Sequence, residues 1–178
     1  MNIEGETVLL RQWRNEDLEP FAAMNADPVV MEFYPRCSTR EESVEAFHRL
    51  RSGIAERGWG LWVVEVDGAF AGYTGLAVPR FEAPFMPCVE IGWRLRRAYW
   101  GRGIATRAAQ LAEAHADHER RLPELVSFTA AINLRSRRLM ERLGFTRIDS
   151  EDFLHPSLEA DDPLRLHVLY RKQNPAAQ

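Results

Sequence analysis

Apolar and polar positions alternate from Glu6 to Trp13, with Val8 and Leu10 on one side, and predict a first strand. Asn15 stands where it can cap a helix through Leu18, Phe21, Ala22 and Met24, and Asp27-Pro28 ends that helix. Ser38-Thr-Arg-Glu41 reads as a capping box. Behind it Val44, Phe47, Leu50, Arg51 and Ile54 recur at helical spacing until Gly58 closes the helix. Gly60 to Val66 and Ala69 to Val78 read as two strands around Asp67-Gly68, a dipeptide suited to a tight hairpin turn. Pro79, Pro84 and Pro87 make the next stretch a loop, and Cys88 to Leu95 is a further strand. Gly101 to Arg121 predicts a long helix with Ile104, Ala108, Leu111, Ala112 and His115 on one side. Leu125 to Ala130 is a short buried strand, and Asn133 to Leu143 is a helix closed by Gly144. Phe145 to Phe153 and Leu164 to Arg171 are the last strands, with a loop from His155 to Pro163 between them. The order β-α-α-β-β-β-α-β-α-β-β implies a mixed α/β fold around a central sheet.

The 178 residues suit one domain, taken as 1–173, with a frayed tail at 174–178. Apolar residues make up 46% and charged residues 28%, a globular balance. No run is long enough to span a bilayer, and the first residues lack a signal-peptide pattern, so a cytoplasmic chain with no membrane partner is expected. Cys37 and Cys88 lie far apart in no metal-like spacing and read as free thiols; no metal site is expected.

A net charge of −3 argues against nucleic acid as a partner. Positive charge is nonetheless crowded into two segments. Arg94, Arg96, Arg97, Arg102 and Arg107 form one, and Arg135, Arg137, Arg138 and Arg142 the other. Such patches on an acidic chain suit a phosphate-bearing small molecule, or they are the solvated faces of two helices. The strand Val89 to Leu95 leads into a turn containing Gly101 and Gly103, where the long helix starts. The first amides of a helix lack intrahelical acceptors and, with the dipole, attract anions. Glycines let an anion approach the backbone closely, so the segment from Glu90 to Ala109 reads as a cradle for a pyrophosphate, or else Gly-x-Gly is a plain helix start. It is neither a Walker loop nor a full dinucleotide fingerprint.

The second segment joins this one to a family. Trp100-Gly-Arg-Gly-Ile-Ala105 matches the motif Gln/Arg-x-x-Gly-x-Gly/Ala at Gly103 and Ala105. Asn133-x-x-Ser136, followed by a helix and Gly144-Phe145, matches a later motif. On these residues the chain resembles the GNAT superfamily of N-acetyltransferases. The wording Glu-Ile-Gly-Trp…Tyr-Trp-Gly-x-Gly is similar to the branch that includes ribosomal-protein N-terminal acetyltransferases. The departure is Trp100 at the Gln/Arg position, where Arg97 or Arg102 could restore a polar contact.

The resemblance implies an α/β fold with a mostly antiparallel central sheet, flanked by helices and splayed at the cofactor strand. It implies acetyl transfer from acetyl-CoA to an amine by direct attack. Trp93, Arg94 and Leu95 would hold the pantetheine, with a backbone donor near Gly92 for the thioester oxygen. Gly101, Arg102, Gly103, Ile104, Ala105 and Thr106 would hold the pyrophosphate, and Asn133 would bond near the pantetheine. Glu90 is the candidate base, or else it fixes a loop or pairs with the substrate ammonium. Met140 stands where many relatives have an acidic tyrosine; Ser136, one turn earlier, is the substitute candidate or a helix cap. Trp59, Trp62, Tyr73, Phe81, Phe85 and Trp93 are core or lie about the acceptor site, and His167 is a better site candidate than His155. The acceptor would be a small-molecule or peptide amine, and the assembly a monomer or homodimer. The alternatives are a non-catalytic acyl-CoA-binding or sensing domain on the same fold, and a nucleotide-binding protein unrelated to CoA.

Overall fold

A computed structural model describes residues 2–3 and 6–174. Among these residues nine strands form one sheet in the order β1-β2-β3-β4-β5-β6-β9-β7, with β8 also paired to β9. The strands are β1 (Asn2–Ile3), β2 (Glu6–Arg11), β3 (Leu61–Val66), β4 (Ala69–Ala77), β5 (Glu90–Leu95), β6 (Glu124–Ala130), β7 (Thr146–Arg147), β8 (Phe153–Leu154) and β9 (Leu166–Gln173). The helices are α1 (Leu18–Asn25), α2 (Arg40–Arg57), α3 (Ile104–His118) and α4 (Leu134–Arg142). All pairings are antiparallel except β5 with β6.

Alternation along the strands sorts two cores onto the two faces of the sheet. Val63 and Phe70 pack with Trp13, Phe21 and Phe47 beneath α1 and α2. Val64 and Ala71 pack with Ile104 and Ala108, while Leu76 and Ile91 pack with Ala109, Ala112 and Met140, beneath α3 and α4. Burying each of the larger side chains contributes about 1.5–3 kcal/mol. Small residues on α3, with Ala108, Ala109, Ala112 and Ala116 all at 0% exposure, bring its backbone close to β4 and β5.

The hairpin at Asp67-Gly68 has both φ angles positive, 48° and 81°, as the turn chemistry requires. Three local readings are corrected. The capping box is one residue later than expected: the Thr39 hydroxyl accepts from the Glu42 amide and the Glu42 carboxylate from the Thr39 amide. Asn15 does not cap α1; it opens a short 3-10 turn, and its side chain accepts from Arg51 instead. The strand expected over 145–153 is two short strands around a turn at Asp149–Glu151, because Asp149 and Asp152 turn to Arg147 and Glu151 to Arg171. Asn174, placed in the expected tail, is 8% exposed and its amide donates to Pro123. Residues 175–178 lie outside the described residues.

Candidate active site

The sheet opens between its two parallel strands. β5 pairs with β4 through all six residues, whereas β5 and β6 share one register pair, Glu90 with Val126. The Val126 amide donates to Val89 O, and one step further the buried Ser127 hydroxyl, rather than a backbone amide, reaches Ile91 O at 2.9 Å. Beyond that point the strands diverge. Ile91 directs its carbonyl toward β6, so alternation turns the peptide groups of Trp93 and Leu95 the same way, into the gap. The Gly92 carbonyl turns to the other side, where the Thr74 hydroxyl donates to it at 2.8 Å. Of the amides beside Gly92, that of Trp93 therefore faces the gap.

A cavity of about 520 Å³ occupies the gap. Its floor includes Trp93, Arg94 and Leu95, and one end is formed by Gly101, Gly103, Ile104, Ala105 and Thr106. Gly101 and Gly103 have φ of 73° and 72°, a region closed to most side chains. A Cβ built on either would meet nothing within 4 Å, so the backbone faces open space there. No side chain caps α3 at Gly103, in contrast to the caps on α2 and α4. The free amides of this first turn thus meet the cavity, as an anion cradle requires.

The far wall is α4. Asn133 caps it by accepting from the Ser136 amide at 3.2 Å, and its Nδ2 donates to Thr129 on β6. Both ends of Asn133 are engaged, so it positions the wall of the cavity that it lines. Arg135, Arg138 and Arg142 follow on the cavity side of α4. A segment between α1 and α2 covers the site with Val30, Phe33 and Tyr34. Arg135 clamps it: the guanidinium pairs with Glu32 at 2.5 Å and lies over the rings of Trp100 and Phe33 at 4.5 and 5.4 Å. Trp100 also donates to Leu95 O at 2.9 Å, which ties the end of β5 to the glycine turn.

The chain matches the family described as acetyltransferase (GNAT) domain over residues 7–146. The chain belongs to the GNAT acetyltransferase family. The co-substrate of that family is acetyl-CoA, and the cavity's open glycine turn, uncapped helix and basic wall fit it. A curated relative, the FsC-acetyl coenzyme A-N(2)-transacetylase of Aspergillus fumigatus, is 31% identical over 134 residues, 71% of this chain and 57% of that protein. The chain thus spans a little over half the length of that relative. Among solved structures, the acetyltransferase from Agrobacterium tumefaciens superposes with a TM-score of 0.73 at 24% identity, covering 93% of this chain and 90% of that one. RimL, the ribosomal L7/L12 alpha-N-protein acetyltransferase solved with coenzyme A, gives 0.75 at 17% identity, covering 96% of each chain. These likenesses establish the shared fold, including that of the expected branch.

Within this GNAT site Glu90 and Ser136 lie on opposite sides of the sheet. Glu90 shares a face with Gly92 and Arg94, the face of α1 and α2, and it does not line the cavity. Its carboxylate lies against Gly92, where a Cβ would come within 3.3 Å of Oε1. It has no hydrogen bond or ion pair among the described residues, and burial raises its pKa to about 7. Ser136 lines the cavity and accepts from Trp93 Nε1 at 3.3 Å, which leaves its own proton free to be donated. Met140 is core, at 1% exposure. Arg102 does not line the cavity; its guanidinium lies over Tyr99 and donates to Ala98 O. Arg94 reaches away from the gap, donating to the buried Asn25 at 2.7 Å beneath the Tyr34 ring.

A second cavity, of about 660 Å³, adjoins the first and shares Tyr34 with it. Glu32, Glu159, Asp161 and Asp162 line it, and among the described residues no basic one does. The aromatic candidates separate. Trp59 and Trp62 pack against the α3 core and Tyr73 against the α1 core. Phe81 and Phe85 join Phe128, Phe153, His155 and His167 in one cluster, with Phe81 4.6 Å from His155 and the two imidazoles 4.9 Å apart. Burial lowers the pKa of both imidazoles, that of His167 to about 4, which favours their neutral forms. No group of three metal-ligating side chains occurs among the described residues, and none of their helices is long and apolar enough to cross a membrane.

The residues missed in the sequence are Val30, Phe33, Tyr34, Tyr99 and Leu139. The covering segment has no periodicity to read, and its contact with α4 spans 103 positions. The arginines of α4 did carry a signal, their crowding.

Proposed function

We propose that the chain transfers an acetyl group from acetyl-CoA to a primary amine of a small molecule or peptide by direct attack, with Glu90 as base and Ser136 as acid. The observation that carries this reading is the unpartnered Glu90 carboxylate, raised to about 7, beside the point where β5 leaves β6. Bound acetyl-CoA supplies an acyl group on an activated thioester. The amides of Ile104, Ala105 and Thr106 hold its diphosphate, and the Trp93 and Leu95 peptides hold the pantetheine. The Trp93 amide faces the acyl oxygen as a donor. The acidic second cavity suits an acceptor that arrives as an ammonium. Glu90 takes a proton from that ammonium, directly or through water, and the freed nitrogen bonds to the acyl carbon as the carbon–sulfur bond breaks. Ser136 gives a proton to the departing sulfur, and the second proton that the acylated nitrogen sheds, passed through water, restores the Ser136 hydroxyl. Each group then ends in its starting charge state once Glu90 releases its proton.

The test is thiol release from acetyl-CoA with a panel of amines. Amine-dependent release supports transfer. Tight CoA binding with no release across the panel would favour a non-catalytic acyl-CoA sensor, the reading that Met140 in place of a tyrosine keeps open.

A further inference from the structure

The basic wall of the cavity holds more positive charge than a diphosphate cradle needs. Among the described residues four arginines line it and no carboxylate does. Two of the four are engaged elsewhere: Arg94 with Asn25 and Tyr34, and Arg135 with Glu32. Arg138 and Arg142 are exposed and have no ion pair among the described residues. They stand four positions apart on one face of α4, a like-charge arrangement that disfavours an isolated helix. No acidic residue occupies the first turn of α4, so Arg135, Arg137 and Arg138 load cations onto the positive end of its dipole. Arg142 Nη1 donates to Thr106 Oγ1 at 3.3 Å, which sets it beside the first turn of α3, the anion cradle itself. Arg142, in the last turn, suits the dipole, but the cations at the start of α4 and the like-charge pair do not, and a bound dianion would offset them.

Acetyl-CoA carries, besides its diphosphate, a separate phosphomonoester on the ribose. We infer that Arg138 and Arg142 bind this ribose phosphate from the α4 wall and make the site selective for CoA over 3′-dephospho-CoA. The inference rests on the acetyl-CoA reading of the cavity. Two guanidiniums four residues apart present parallel N–H donors to a single phosphate, a geometry suited to charge-assisted bonds. The phosphate lies far from the acyl carbon, so its contacts govern donor affinity.

Calorimetric titration of the full chain with CoA and with 3′-dephospho-CoA tests this without any acceptor. The wild-type chain is expected to bind CoA about tenfold more tightly than the dephospho form. In the double variant Arg138→Ala/Arg142→Ala, CoA falls to the dephospho level while the dephospho affinity is unchanged. Arg138→Lys/Arg142→Lys retains part of the preference. Both side chains are exposed, and an unchanged thermal transition confirms an intact fold. Equal wild-type affinity for the two ligands, or a preference that survives the alanine pair, overturns the inference and leaves the acetyl-CoA reading standing. Failure of the wild-type chain to bind either ligand overturns both.

Discussion

Two adjoining cavities of similar size carry opposite charge. The one in the sheet gap is lined by arginines and backbone donors; its neighbour is lined by four carboxylates, and Tyr34 belongs to both. The single ion pair Glu32–Arg135 takes one partner from each lining. What separates them is their construction. The cationic cavity is made by regular elements: a strand that loses its neighbour, an uncapped helix start and one face of α4. The acidic cavity is made by connecting segments: 32–35, 159–164 and Ile132 between β6 and α4. A rigid frame suits a donor with fixed geometry, and loops suit an acceptor that differs between relatives. A two-substrate transfer needs such division, since the donor is an anion and an unreacted amine is a cation.

The largest effect is expected at the glycine turn. At φ 72° a branched side chain is strained and points into the cradle, so Gly103→Val should weaken CoA binding by more than about 100-fold. Calorimetry measures the loss, and an unchanged circular dichroism spectrum confirms the fold. Retained affinity would break the anion-cradle assignment. Next is Glu90→Gln, which should lower kcat by about 10²–10³-fold and leave the CoA dissociation constant unchanged. With the carboxyl pKa raised to about 7, the base is protonated below that value. Wild-type kcat should therefore rise with pH through about 7, and this limb should vanish in the variant. The same shift has a consequence for stability. The folded protein binds this proton more tightly than the unfolded chain, so wild-type stability falls as pH rises from about 4.5 through 7. Glu90→Gln should flatten that fall in pH-dependent melting curves.

A smaller effect is expected across the divide. Glu159→Lys/Asp161→Lys reverses charge on exposed loop positions and should raise KM for a cationic acceptor about tenfold. Its CoA affinity should stay within about twofold, because those residues do not line the donor cavity. An equal change in both would show the cavities to be one site. Least of all is Glu32→Gln. An exposed ion pair contributes at most about 1 kcal/mol, so a shift of a few-fold in either constant is the most expected.

Much of the frame was legible in sequence because its signals are local. Strand alternation, the Asp67-Gly68 turn and the spacing of Gly101, Gly103, Asn133 and Ser136 each report on neighbours a few positions away. Of the ten residues expected to hold the cofactor, nine line the cavity. The tenth, Arg102, folds back over Tyr99, a rotamer choice that spacing does not reveal. The acidic cavity was not legible. Glu32 and Asp161 come to one cavity through tertiary packing of segments without periodicity, and nothing local marks either as part of a site. The same holds for the partition between Glu90 and Ser136. Strand register places one carboxylate on the α1 face, but only the packing of α4 onto β5 sets Ser136 beside Trp93. The break within 145–153 is set partly by Arg147 close by in sequence and partly by Arg171 on β9, which packing brings to Glu151.

The central claim, that the sheet gap holds the acyl donor, is tested most directly by a crystal structure of the chain with CoA. The account predicts diphosphate oxygens within about 3 Å of the Ile104, Ala105 and Thr106 amides. It further predicts a pantetheine arm running between β5 and β6 along Trp93. A diphosphate bound anywhere else, or an arm outside the gap, would contradict it.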